Sequence, residues 1–146
     1  MKTGRLKFVK HIFYAYVDGS DLHDIENLLV AEFNAFISSQ RWVSPNVNLV
    51  NQVYELELNA PEDCLPDWFI GLNIGLAKPQ DADWFQDIEA VINFLGGMND
   101  KTGREFVVGV ADKETGFTHD LMFVDDSCFD LEVLKSMINN ITSNLT

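Results

Sequence analysis

The pair His119-Asp120 is the first group in this chain with residue types suited to acid–base chemistry. A histidine acts as a general base when a nucleophile lies within hydrogen-bonding reach, and Cys64 and Cys128 are the two available thiols. His119 is predicted to lie in the middle of a strand, on the same side as Phe123, and no local signature links it to either cysteine. We therefore predict a hydrogen-bonded, partly buried histidine and a protein that is not an enzyme.

An acidic pattern, Asp81-x-Asp83-x-x-x-Asp87, begins like a calcium-binding loop. Such a loop needs glycine at its sixth position and glutamate at its twelfth, whereas this chain has Gln86 and Ile92 there. Carboxylates in the first turn of a helix already interact favourably with the helix dipole. The pattern therefore predicts the start of a helix, not a metal site.

Other cofactor sites are also not predicted. The run 125–130 (DDSCFD) could hold magnesium, but a solvated turn and a helix cap explain it more simply. The three histidines have no paired spacing of the kind that zinc needs. The segment 71–75 (GLNIG) lies within a strand pattern and lacks the Lys-Ser/Thr of a phosphate loop. We expect neither metal nor cofactor.

The charge is the most unusual property of the chain. Ten Lys and Arg stand against 23 Asp and Glu, which gives a formal charge of −13 over 146 residues. Residues 1–17 hold four bases and no acid, so the remainder has six bases against 23 acids, or −17. The negative electrostatic field of such a chain repels nucleic acid and anionic membranes and attracts basic proteins. We therefore expect a basic protein partner.

The acidic residues that regular elements should project to solvent are the candidates for partner binding. Two lie on a predicted strand with one wet face, and three lie at or in the second predicted helix. If the two elements are neighbours, they form one broad negative surface. The candidates are Glu55, Glu57, Asp83, Asp87 and Glu89.

Hydrophobic periodicity predicts the elements that must position these residues. Strands are expected at about 7–17, 50–58, 68–77, 106–111 and 117–124, and helices at about 20–39, 82–96 and 130–142, with Gly96-Gly97 ending the second helix. The order is β-α-β-β-α-β-β-α. Adjacent strand pairs indicate hairpins, so we predict a single layered α+β domain over 1–146, with a mainly antiparallel or mixed five-stranded sheet. Helices on one sheet face and on both faces stay open as alternatives.

Two strands give further information about the sheet. The first is apolar on both faces, with Phe13 and Ala15 on one and Tyr14 and Tyr16 on the other, which indicates an interior position. The strand 68–77 has bulky residues on one face and a nearly smooth face containing glycines, which favours a close approach of backbone or a helix.

The sequence also predicts the cellular compartment of the protein. Lys10 and His11 interrupt the first apolar stretch, and no apolar run approaches membrane-spanning length, so neither a signal peptide nor a membrane segment is expected. The two cysteines are far apart and form no C-x-x-C motif, which predicts free thiols in a reducing compartment. We expect a cytoplasmic protein.

The chain resembles the immunity proteins of bacterial polymorphic toxin and contact-dependent growth inhibition systems. The resemblance lies in its size, its acidity, its single compact α/β domain and its lack of catalytic motifs. The stretch 84–126 (WFQDIEAVINFLGGMNDKTGREFVVGVADKETGFTHDLMFVDD) is similar to small bacterial proteins of that kind. The resemblance implies a cognate toxin, often a basic nuclease, neutralised in a tight complex. These families share no signature residues, so the resemblance assigns no role to any position. There are two alternatives to an immunity protein. One is an adaptor or a subunit of a larger assembly, and the other is a small enzyme with an unrecognised site.

Overall fold

A computed structural model of the chain describes residues 8–19, 21–44, 46–54, 67–78, 83–125 and 130–143. These residues form five strands and three helices in the predicted order. The elements are β1 Phe8–Val17, α1 Glu26–Ser39, β2 Val47–Tyr54, β3 Asp67–Lys78, α2 Phe85–Thr102, β4 Phe106–Asp112, β5 Thr118–Val124 and α3 Leu131–Ser143.

The strands form one antiparallel sheet in the order β2-β3-β1-β4-β5. The predicted α+β class is confirmed. The first strand is the central one, as its two apolar faces predicted. The helices bury its Phe13 face, and Tyr14 on its other face is also almost fully buried. The sequence-distant strands β1, β3 and β4 therefore lie side by side in the middle of the sheet.

The three helices pack on the same face of this sheet. Alternate residues of the central strands, such as Phe13, Leu72 and Val108, are fully buried there. They form one core with buried residues of every helix, including Phe33 of α1 and Ile138 of α3. The arrangement resolves the alternative left open by the sequence. None of the described helices is long and apolar enough to cross a bilayer.

Two predicted helix boundaries are wrong. α1 begins at Glu26, after a turn, and not at about residue 20. α2 continues through Gly96-Gly97 and ends at Thr102, and Gly103 follows with a left-handed φ of 72°, which suits the residue after a helix. A helical glycine costs only about 1 kcal/mol relative to alanine, and buried Leu95 and Met98 hold the helix on both sides of the pair.

Candidate functional site

The face of the sheet opposite the helices, here the open face, carries the side chains that point away from the core. On β1 these are Ile12, Tyr14 and Tyr16, which alternate with the buried residues of that strand. The cross-strand register brings residues of all five strands onto this face, and none of the described helices packs against it. The candidate site lies here.

A hydrogen bond crosses three strands of the open face. Tyr14 on β1 lies opposite Gly109 on β4, and Gly109 lies opposite Asp120 on the edge strand β5. The Tyr14 hydroxyl donates a hydrogen bond to Oδ1 of Asp120. A β-carbon at Gly109 would overlap both the Tyr14 ring and the carbonyl oxygen of His119. The Tyr14–Asp120 bond in this position therefore requires glycine at residue 109.

Aromatic rings continue from Tyr14 towards the other side of the sheet. The rings of Tyr14 and Tyr16 are stacked, with centroids 5.2 Å apart, and the ring of Phe69 on β3 lies 5.3 Å from that of Tyr16. These three residues are the aromatic row. The Tyr16 hydroxyl donates to Oδ1 of Asn73 at 2.6 Å. Tyr14 is almost fully buried within the row, while Tyr16 and Phe69 are partly exposed.

A cleft of about 660 Å³ runs along the open face. Its volume lies within the range of small-ligand sites in proteins. The aromatic row and apolar residues such as Val107 form much of its wall, and the acids Asp18 and Asp120 also line it. No Lys, Arg or His lies among the described lining residues. The cleft is therefore apolar and aromatic with negative charge, a combination that favours a cationic ligand.

The hydroxyl of Tyr14 is suited to donating a hydrogen bond and unsuited to acting as a base. Burial, followed by the hydrogen bond to Asp120 and the negative charge of Asp120, raises the pKa of Tyr14 far above its ordinary value of 10.0. The phenol therefore keeps its proton at neutral pH. A general base or a nucleophile would need the opposite shift.

The predicted acidic candidates do not come together in the described part of the chain. Glu55 and Glu57 lie outside the described residues. Asp83 and Glu89 are exposed on the helical layer, on the opposite side of the sheet from the cleft. Their role in partner binding remains a prediction.

The prediction that Asp87 projects to solvent is wrong. Its side chain is only 2% exposed, and its two carboxylate oxygens accept hydrogen bonds from the backbone N–H groups of Val43 and Ser44, each at 2.8 Å. Asp87 thus anchors the loop between α1 and β2. The sequence contained the signal, because Asp87 is three residues after Trp84 and four before Val91, both of which contact the core.

His119 is exposed, not partly buried as predicted. A bulge in β5 pairs His119 with Val110 and Phe123 with Val107, which places His119 and Phe123 on opposite faces of the sheet. Their predicted placement on one side is therefore wrong. Cys64 and Cys128 lie outside the described residues. Within the described part of the chain, no three His, Cys, Asp or Glu side chains are grouped so as to hold a metal ion.

Sequence reasoning did not find the Tyr14–Asp120 pair. The two residues are 106 positions apart, and they meet only because β4 lies between β1 and β5 and a bulge sets the register of β5. Gly109 gave a partial signal, since a glycine inside a strand often marks a close approach. On β3, the predicted smooth face carries no packed helix among the described residues and forms part of the open face.

Comparison with known proteins adds no assignment. The chain matches no family model, and neither a curated protein nor a solved structure shows significant similarity to it. The resemblance to immunity proteins stays a prediction from the sequence, and the geometry of the open face is the structural basis for the proposals below.

Proposed function

We propose that this chain is a non-enzymatic binding protein of the immunity type, which neutralises a cognate basic toxin in the cytoplasm by forming a tight complex. The observation that supports this most is the open face of the sheet. It presents partly exposed aromatic side chains in a cleft lined by two aspartates and, among the described residues, by no base. An aromatic centre with negative charge matches what a basic protein surface requires.

The aromatic residues of the open face and the net charge of the chain have different roles in binding. Aromatic residues such as Tyr16 and Phe69 contribute to affinity, because a few well-packed anchors carry most of the energy of an interface. The charge of −13 attracts the partner over a longer range and raises the association rate. Asp83 and Glu89 lie on the other side of the sheet from the cleft, so a partner bound in the cleft would be attracted by them at a distance and would not contact them as the sequence prediction has it.

The cleft also suggests an alternative function, that of a small enzyme. A pocket that contains a group with a shifted pKa is a common sign of catalysis. Tyr14 is such a group, but its pKa shift keeps the phenol protonated. Its proton is also committed to Asp120. This geometry supports fixed hydrogen bonding and recognition better than proton transfer.

The proposed function is tested with the product of the gene immediately upstream, which should encode the toxin. We expect its C-terminal domain to arrest growth of a bacterial host and co-expression of this chain to restore growth. The double variant Phe69→Ala/Asp120→Lys should bind the domain about 30-fold or more weakly, because it removes an apolar anchor and reverses a charge. Isothermal titration calorimetry measures the affinity.

The matched control reverses charge on the helical layer. Asp83→Lys/Glu89→Lys should slow association modestly and reduce its dependence on salt, yet change the dissociation rate little. A toxin domain that arrests growth equally with and without this chain contradicts the immunity function. Loss of the complex in the control variant alone would instead place the partner on the helical layer.

A further inference from the structure

We propose that the cleft on the open face binds an arginine side chain of the basic partner, with the guanidinium at Asp120 and the aliphatic stem along the aromatic row. This inference rests on the proposed function, since it specifies which chemical group the partner inserts. The side chains in question come from β1, β3 and β5, so the subsite exists only in the folded sheet.

Asp120 is available to such a ligand. The residue is exposed, and the hydrogen bond from Tyr14 uses Oδ1. Within the described part of the chain, no donor is bonded to Oδ2 and no cation pairs with Asp120. The bond from Tyr14 fixes the orientation of the carboxylate before binding, which lowers the entropic cost of forming a second, charge-assisted hydrogen bond.

The aromatic row suits the rest of an arginine side chain. Tyr16 and Phe69 are partly exposed, and Val107 lines the same cleft. An aliphatic stem can pack on these groups while its charged head reaches a carboxylate. A guanidinium also stacks favourably on aromatic faces.

Arginine fits this arrangement better than lysine does. Its planar guanidinium has five donors in a fixed fork, so it can bond Asp120 and still present donors to a neighbour. Thr118, two residues before Asp120 on the same face of β5, also lines the cleft and offers a hydroxyl oxygen as an acceptor for these donors. A lysine ammonium is a compact, strongly hydrated charge that gains less from aromatic stacking.

A blocked peptide, acetyl-Gly-Gly-Arg-Gly-Gly-amide, tests the subsite without the toxin. Nuclear magnetic resonance should show binding with a Kd on the order of 1 mM, as expected for one side chain. The amide signals of Gly109 and Asp120 should shift most. The same peptide with citrulline, which has the shape of arginine without its charge, should bind about tenfold more weakly or not at all.

Two variants and a control identify the groups responsible. Asp120→Asn should weaken binding of the arginine peptide about tenfold, because the amide loses the charge but can still accept the bond from Tyr14. Tyr14→Phe should weaken it about threefold through a less oriented carboxylate. Glu132→Gln removes one exposed charge from α3 in the helical layer and should change the affinity less than about twofold at about 150 mM salt.

Equal binding of the arginine and citrulline peptides overturns the proposal, as does equal binding to the native chain and Asp120→Asn. If the same blocked peptide with lysine in place of arginine binds more tightly than the arginine peptide, the choice of arginine is overturned. If free L-arginine binds much more tightly than the blocked peptide, the ligand is the free amino acid and not a side chain of a protein partner, because the site would then recognise the α-amino and α-carboxylate groups. The proposed function survives these outcomes, since its own test measures the toxin complex.

Discussion

The hydroxyl of Tyr14 and the carboxylate of Asp120 are hydrogen bonded across strand β4, with Gly109 between them. The bond links the central strand of the sheet to its edge. It therefore connects the most buried part of the open face to an exposed acidic residue, and it makes the conformation of that residue depend on the packing of the sheet.

Replacement of Gly109 by alanine should destabilise the protein. Its β-carbon would overlap the Tyr14 ring and the carbonyl oxygen of His119, so either the ring or strand β5 must move. We expect a loss of about 1–3 kcal/mol in the free energy of unfolding, as for other overpacked sites. Urea denaturation followed by circular dichroism measures this loss.

Gly97→Ala is the matched control for that substitution. Gly97 lies within α2, and apart from its chain neighbours and the adjacent backbone of the helix, no described atom lies within 4 Å of the position that its β-carbon would take. Alanine should therefore stabilise the helix by about 0.5–1 kcal/mol. Opposite signs for the two glycine-to-alanine changes are the expected result, and a neutral Gly109→Ala would contradict the close approach of Tyr14.

The elements that periodicity alone defines were predictable from the sequence. The two apolar faces of β1 indicated the central strand, and the stripe ending at Ser39 gave the end of α1 correctly. The end of α2 was not predictable from Gly96-Gly97, because burial of Leu95 and Met98 outweighs the low helix propensity of glycine. Tertiary packing decided that boundary.

The candidate site was less predictable than the fold. Charge and composition indicated a basic partner, but they could not select one face of the molecule. The pairing of Tyr14 with Asp120 depends on strand order and on the bulge in β5, and neither leaves a local pattern in the sequence. Asp87 is a residue whose position could have been predicted. Its helical spacing places it on the apolar stripe of α2, although its charge suggested that it faces solvent.

Asp87→Ala should be strongly destabilising. The substitution leaves the N–H groups of Val43 and Ser44 without their carboxylate acceptor in a largely buried position. We expect a loss of about 2–4 kcal/mol in the free energy of unfolding. Glu89→Ala, two positions further along the same helix and exposed, should change it by less than about 0.5 kcal/mol. Similar losses in both variants would contradict the anchoring role.

Val110 and His119 form a cross-strand pair in which one residue is buried and the other exposed. Val110→Ala should cost about 2 kcal/mol of stability, because it leaves a cavity in the core. His119→Ala should cost less than about 0.5 kcal/mol and should leave the toxin-neutralising activity intact. Thermal denaturation compares the two variants. A folded His119→Ala variant without activity would favour the enzyme alternative.

The proton of Tyr14 should make stability depend on alkaline pH. The pKa of Tyr14 is raised in the folded chain, so the folded state holds a proton that the unfolded state releases above its ordinary pKa of 10.0. The contribution is therefore fully present below about pH 10 and decreases as the pH rises further, by up to about 1.4 kcal/mol per pH unit.

Tyr14→Phe separates this effect from the titration of other groups. The variant should be about 1 kcal/mol less stable than the native chain near neutral pH, because it lacks the hydrogen bond to Asp120. Above about pH 10 the native chain should lose stability more steeply, so the difference between the two proteins narrows. Urea denaturation from about pH 8 to about pH 11 measures both curves. A constant difference across that range would mean that Tyr14 ionises equally in the folded and unfolded chains, and hence that neither burial nor Asp120 holds its proton.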